Sequence, residues 1–159
     1  HKTEAGAVAL NLSTAADAEK AARAMPCASF LLEEMITGTI AELLVGVVRD
    51  PAHGFVLTLA AGGTLSEILR DSVSLLVPVT GSDIRQALGN LRIAPLLAGY
   101  RNGAAANEAA ILTAVLAVQD YVLANRARID EVEINPLICT PERAVAADVL
   151  IRIGESNDG

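Results

Sequence analysis

The chain has no tryptophan, and aromatic residues make up only 3% of its 159 positions. A core built without large rings has to be filled by Ala, Val, Leu and Ile, the usual filling of sheets covered by helices. Positive charge is also scarce. Lys and Arg number 12 against 19 Asp and Glu, for a net charge of -7 and a pI near 4.7. That balance argues against nucleic acid or an anionic membrane surface as a partner. No stretch approaches the roughly 18 apolar residues of a membrane span, the longest candidates being broken by Thr113 and Gln119. The cysteines are Cys27 and Cys139, in apolar surroundings and without metal-ligand spacing, so two buried thiols in a reducing cytoplasm are expected. No targeting segment is visible. The chain begins at His1 rather than Met, so a piece of a longer protein, or a processed form, is expected.

What is abundant is apolar material. Hydrophobic residues at 52% and a mean hydropathy of +0.43 supply a core for one domain or two small subdomains. Residues 1–7 form a polar loop in which Lys2 and Gly6 could approach an anion, although such a tail is also an ordinary terminus. Alternation over 8–12 predicts a short strand, and Ser13 and Thr14 ahead of Asp17 predict a helix that Pro26 stops. Residues 30–35 read as a strand and 40–49 as a longer one. The turn Asp50, Pro51, Ala52, His53, Gly54 then returns residues 55–60 antiparallel to it. Glu42 interrupts a nearly continuous apolar run, where a carboxylate needs an arginine, an N–H or a ligand hydroxyl. Gly62 and Gly63 permit close backbone approach by a ligand or another strand. Residues 66–71 and 73–79 are strand-like, with Glu67, Arg70 and Asp71 forming a solvated cluster or a cleft wall. Ser82 is the expected cap of a helix to Leu91, and Asn107 caps a long helix whose Ile111, Val115, Val118 and Val122 form a core stripe.

The most informative stretch is 131–139. Glu131, Glu133 and Asn135 fall on one strand face, while Val132 and Ile134 fall on the other. Thr140, Pro141, Glu142 and Arg143 make a tight turn into a second strand, 144–153. With Pro141 and Glu142 at its centre, counting back along the ladder sets Asn135 opposite Asp148, a spacing suited to one magnesium-sized cation. The same pattern describes the wet face of an ordinary antiparallel sheet, and a one-residue slip would separate the pair.

Taken together, the motifs resemble the ATP-grasp domain of ADP-forming acyl-CoA (acetyl-CoA) synthetases, relatives of the succinyl-CoA synthetase beta subunit. The resemblance runs nearly end to end. It rests on His1, Lys2, Thr3, Glu4, Ala5 and Gly6, on Leu32, Glu33, Glu34 and Met35, on residues 42–51, on Gly62 and Gly63, and on Glu67, Ile68, Leu69, Arg70 and Asp71. It continues through residues 96–101 and Glu133, Ile134, Asn135, Pro136 and Leu137. Departures are Ala7, where the family commonly has glycine, and His53, where it usually has phenylalanine.

The resemblance implies an α/β (α+β) ATP-grasp fold. Residues 1–27 would be a remnant of the N-terminal subdomain, 28–154 a C-terminal subdomain with a mainly antiparallel sheet flanked by helices, and 155–159 a tail. It also implies roles. Glu33, Glu34, Met35 and Ile36 would form the adenine hinge, Glu42 would face the nucleotide, and Gly62 and Gly63 would line the phosphate side. Asn135 and Asp148 would hold Mg2+ on ATP or ADP, and Glu133 would orient the phosphoryl acceptor. His1 would relay the phosphoryl group and Lys2 would lie over the phosphates. CoA and the acyl substrate would bind on CoA-binding and ligase domains of the same protein or of a partner subunit, in a cytoplasmic homodimer. The alternatives are a non-catalytic dimerisation or regulatory module on the same fold, and the nucleotide-binding domain of a fused protein acyltransferase.

Overall fold

The computed structural model describes residues 8–63 and 71–154. The chain divides into two compact units, His1–Thr37 and Gly38–Gly159. In the first, helix α1 spans Ala15–Ala24. Thr14 and Asp17 cap it reciprocally: the Asp17 N–H donates to Thr14 Oγ1 and the Thr14 N–H to Asp17 Oδ2, each at 3.1 Å. The strands expected at 8–12 and 30–35 are irregular chain instead. Alternation makes a strand only where a neighbour supplies ladder hydrogen bonds, and Leu31 and Leu32 stand 82% and 77% exposed. Cys27 is exposed rather than buried.

The second unit is built on a 6-stranded sheet. Its strands are β1 (Ala41–Asp50), β2 (Gly54–Ala61), β3 (Ser72–Leu76), β4 (Ile129–Cys139), β5 (Ala144–Ala146) and β6 (Val149–Ile153). The order is β3-β2-β1-β4-β5, with β6 also pairing β4, and every pairing is antiparallel. Helices α2 (Gly81–Asn90) and α4 (Glu108–Ala124) pack on one face, joined by a short helix α3 (Ala94–Leu97) and a 3-10 turn at Tyr100–Asn102. Leu43, Val45, Val47, Leu57 and Leu59 are fully buried on that face, and they share one core with Ile84 of α2 and with Ile111, Val115 and Val122 of α4. The expected stripe on α4 is thus the core stripe.

Local chemistry sets the boundaries. Asn107 Oδ1 accepts the Ala110 N–H at 3.0 Å, starting α4 where the sequence placed it. The cap of α2 is Thr80, not Ser82. Thr80 has Asp83 three residues on and forms the reciprocal box, with Asp83 Oδ2 taking the Thr80 N–H at 2.7 Å. The Thr80 hydroxyl holds the Asp83 carboxyl below its ordinary pKa, helped by the Thr80 N–H. Inside the sheet-helix layer, Gln119 is 6% exposed. Its amide clamps Val79, accepting the N–H at 2.6 Å and donating to the carbonyl at 3.2 Å. Asp71 belongs to neither a solvated cluster nor a cleft wall. It is buried and accepts the backbone N–H groups of Arg92 at 2.8 Å and Ile93 at 3.1 Å. Glu67 and Arg70 lie outside the described residues.

Candidate functional site

With α2 and α4 on one face of the sheet, the period-two alternation sends the intervening side chains to the other. Glu42, Leu44, Gly46 and Val48 of β1 lie there, between the fully buried Leu43, Val45 and Val47. The register places Gly46 beside Glu133 and Val48 beside Glu131 on β4. The polar face read from residues 131–135 is therefore the face of the central strand pair opposite α2 and α4.

The ladder is interrupted at the most informative point. Val45 pairs with Ile134 but Leu43 with Leu137, so Asn135 and Pro136 together stand opposite Leu44. Pro136 has no N–H to donate, and the extra residue is a β-bulge, a device that re-aims a side chain. Burial shows the change of phase: Val132 and Ile134 are buried before it, Leu137 and Cys139 after it, and Asn135 between them is exposed. The Asn135–Pro136 peptide is cis.

Across from the bulge the hairpin keeps its counted register. Cys139 faces Ala144 and Leu137 faces Ala146; Ile134 faces Val149. Between those pairs the Asn135 N–H donates to the Asp148 carbonyl at 3.1 Å and the Ala147 N–H to the Pro136 carbonyl at 3.0 Å. Asn135 and Asp148 are thus opposed, as the turn residues implied, and both are exposed. Asn135 Nδ2 approaches Glu133 Oε1 at 3.5 Å. That orientation leaves Asn135 Oδ1, the atom a hard cation takes, as the acceptor on the other side of the amide. Glu131 is bonded instead to Arg152, Oε2 to Nη1 at 3.0 Å, which removes it from the candidate ligands.

The hairpin tip that fixes this register was only partly legible in the sequence. The Thr140 hydroxyl donates to the Arg143 carbonyl at 3.0 Å and accepts the N–H groups of Arg143 at 3.0 Å and Glu142 at 3.3 Å. Asn107 ties the start of α4 to the same turn. Its N–H donates to the Thr140 carbonyl and its Nδ2 to the Glu142 carbonyl, each at 2.9 Å. Asparagine at the helix start and threonine at the turn start were the available signals, but their joining needs the tertiary structure.

Glu42 and the glycine pair meet at the entry to β1. The Gly62 N–H donates to the Glu42 carbonyl at 2.8 Å. Glu42 is partly buried, and among the described residues no donor is bonded to its carboxylate. Glu33, Glu34 and Met35 are exposed and Ile36 partly buried in irregular chain of the first unit. His1 and Lys2 lie outside the described residues. A cavity of about 360 Å3 lies between α4 and strands β4 to β6, lined by Ala114, Tyr121, Val132, Ile134, Val149 and Ile151 among others. Among the described residues its wall carries no ionisable group besides the Tyr121 phenol.

Among the described residues no group of three or more His, Cys, Asp and Glu is arranged to hold a metal ion. A two-residue site of one carboxylate and one amide oxygen suits Mg2+ shared with phosphate oxygens, since that ion takes few protein ligands. No helix among the described residues is long and apolar enough to cross a membrane.

The chain has known relatives in both sequence and structure. A family model for the ATP-grasp domain matches residues 1–153. The beta subunit of ADP-forming acetate–CoA ligase I from Pyrococcus furiosus is 28% identical over 158 residues, covering 93% of this chain and 68% of that protein. A trans-feruloyl-CoA synthase from an unknown prokaryotic organism is 34% identical over 168 residues, which is 96% of this chain but 23% of that protein. The dinucleotide-forming acetyl-coenzyme A synthetase 1 of Ca. Korarchaeum cryptofilum, solved with coenzyme A and Mg-AMPPCP, superposes with a TM-score of 0.88 at 27% identity. The match covers 97% of this chain and 71% of that chain.

Proposed function

This chain belongs to the ATP-grasp domain family, and from that membership we propose that it is the nucleotide-binding part of an ADP-forming acyl-CoA synthetase. The reaction is acyl-CoA, ADP and phosphate to the free acid, CoA and ATP, with the phosphoryl group carried on histidine. Its relatives include ligases of this kind and the beta subunit of one. The Korarchaeum structure is described with its phosphohistidine segment pointing towards the nucleotide site. CoA and the acid would bind on CoA-binding and ligase domains of the same protein or a partner subunit. A cytoplasmic homodimer is part of the same proposal.

The observation that carries the reading is the opposition of Asn135 and Asp148 at the bulge on the sheet face opposite α2 and α4, beside Glu133. The Asn135 amide oxygen and the Asp148 carboxylate would hold Mg2+ on the nucleotide phosphates. Bound there, the ion supplies charge neutralisation for phosphoryl transfer. Glu133 orients the phosphoryl acceptor, and the carboxylate of the partly buried Glu42 faces the nucleotide, where a ligand donor would pair it. In the first unit, the chain at Glu33, Glu34, Met35 and Ile36 offers backbone groups to the adenine. His1 is assigned the phosphoryl relay and Lys2 the phosphates, with Gly62 and Gly63 on the phosphate side.

Titration calorimetry of the full-length protein with its partner domains tests this. Binding of ADP that strengthens at least about tenfold when Mg2+ replaces EDTA is the expected result. ADP affinity indifferent to Mg2+ would remove the metal assignment, and no ADP binding at all would remove the nucleotide reading.

A further inference from the structure

Gly62 and Gly63 are adjacent in sequence, but their missing side chains face different things. A Cβ on Gly62 would lie 3.0 Å from the backbone carbonyl carbons of Glu42 and Leu43, so this glycine is required by strand-to-strand approach. A Cβ on Gly63 would instead lie 2.6 Å from Glu42 Oε2, and among the described residues the next atom within ordinary contact is Glu42 Cδ, at 3.6 Å. The atom it would displace is the free end of a flexible side chain. The backbone could stay where it is while the carboxylate moved.

Glu42 is partly buried, and among the described residues no donor is bonded to its carboxylate. A charged group in such a setting is set up for a donor from outside the chain. We propose that Gly63 is a positioning residue for Glu42, its missing side chain being the space the carboxylate occupies when it accepts a hydrogen bond from the nucleotide. This rests on the nucleotide reading above and adds to it a residue that does not touch the ligand.

Gly63 also has a φ of +74°, a conformation that strains any L residue with a Cβ. An alanine there carries two penalties, one conformational and one from crowding Glu42. A double-mutant cycle separates them, because the conformational penalty is common to both backgrounds and cancels. The proteins are wild type, Gly63→Ala, Glu42→Ala and the double variant, each in the full-length protein with its partner domains. Mg-ADP affinity is read by calorimetry and folding by thermal melting.

The expected result is a loss of at least about tenfold for Gly63→Ala when Glu42 is present, and less than about twofold in the Glu42→Ala background. A third variant reads the same relation from the other side. Glu42→Asp draws the carboxylate out of that space by one methylene, so it should weaken Mg-ADP binding by itself and leave Gly63→Ala little further effect, which a merely structural glycine would not allow. Equal losses in both backgrounds, or no loss in either, overturn the inference while leaving nucleotide binding intact. Failure of Gly63→Ala to fold in both backgrounds overturns it too, since the glycine would then be required by its positive φ rather than by Glu42. A wild-type protein that binds no Mg-ADP overturns this inference together with the reading it rests on.

Discussion

Thr140 is a residue whose loss should be felt well beyond its own position. It is 2% exposed, and its hydroxyl donates to the Arg143 carbonyl at 3.0 Å while accepting from Arg143 N at 3.0 Å and Glu142 N at 3.3 Å. Thr140→Val keeps the shape and removes all of these bonds. A net hydrogen bond is worth about 0.5–1.5 kcal/mol, and the 3.3 Å contact should count at the lower end. Glu142 and Arg143 are exposed, so water can take their N–H groups once the hydroxyl is gone. The expected cost is therefore about 1.5–3 kcal/mol rather than the full sum. At roughly 3 °C per kcal/mol for a chain of this size, the melting temperature should fall by about 4–9 °C. Thr140→Ser, which keeps the hydroxyl and loses one methyl group, should cost less than half as much. Urea denaturation followed by circular dichroism measures both. Valine as stable as threonine, or serine as harmful as valine, would refute the claim that the hydroxyl locks the hairpin tip and so the register of Asn135 against Asp148.

Other consequences follow from the same contacts. Asn107→Ala removes the α4 cap and the tie to the Glu142 carbonyl, and should cost about 1–3 kcal/mol in urea denaturation. Gln119→Leu leaves the Val79 N–H and carbonyl without their side-chain partner inside the layer, and should destabilise by about 2–4 kcal/mol on the same assay. Burial pushes the Cys139 thiol up to about 12 from 9.0. Folding therefore favours the neutral thiol, its contribution is fully present below the unfolded pKa, and stability falls between pH 9 and 12, with a limiting slope of about 1.4 kcal/mol per pH unit. The loss relative to Cys139→Ala, followed by denaturant unfolding, checks it. With Ellman's reagent at about pH 8, the exposed Cys27 should react in the native protein and Cys139 only after unfolding.

The parts of the second unit that the sequence revealed are those in which local chemistry and tertiary packing ask for the same residues. Asn107 caps α4 and its apolar stripe is the core stripe. The Thr140 turn sets a ladder that can be counted residue by residue to Asp148. The same counting could not show that Asn135 and Pro136 share one partner, because a bulge is defined on the neighbouring strand, at Leu44. Residues 30–35 misled for a related reason: their apolar character suits a strand, but no described strand pairs with them. The cap of α2 is Thr80 rather than Ser82 because only Thr80 has an acidic residue three places on. Glu42 stood out because a carboxylate in an apolar run is costly, and Gly63 gave no sign that its empty side-chain position faces Glu42.

The central claim is that Asn135 and Asp148 hold Mg2+ on the phosphates of a nucleotide. Calorimetric titration of the full-length protein with ADP, with Mg2+ and with EDTA, for wild type, Asn135→Ala and Asp148→Ala, tests it most directly. Either variant should bind Mg-ADP at least about tenfold more weakly than wild type while binding metal-free ADP equally well. Mg-ADP affinity unchanged in both variants would contradict the claim.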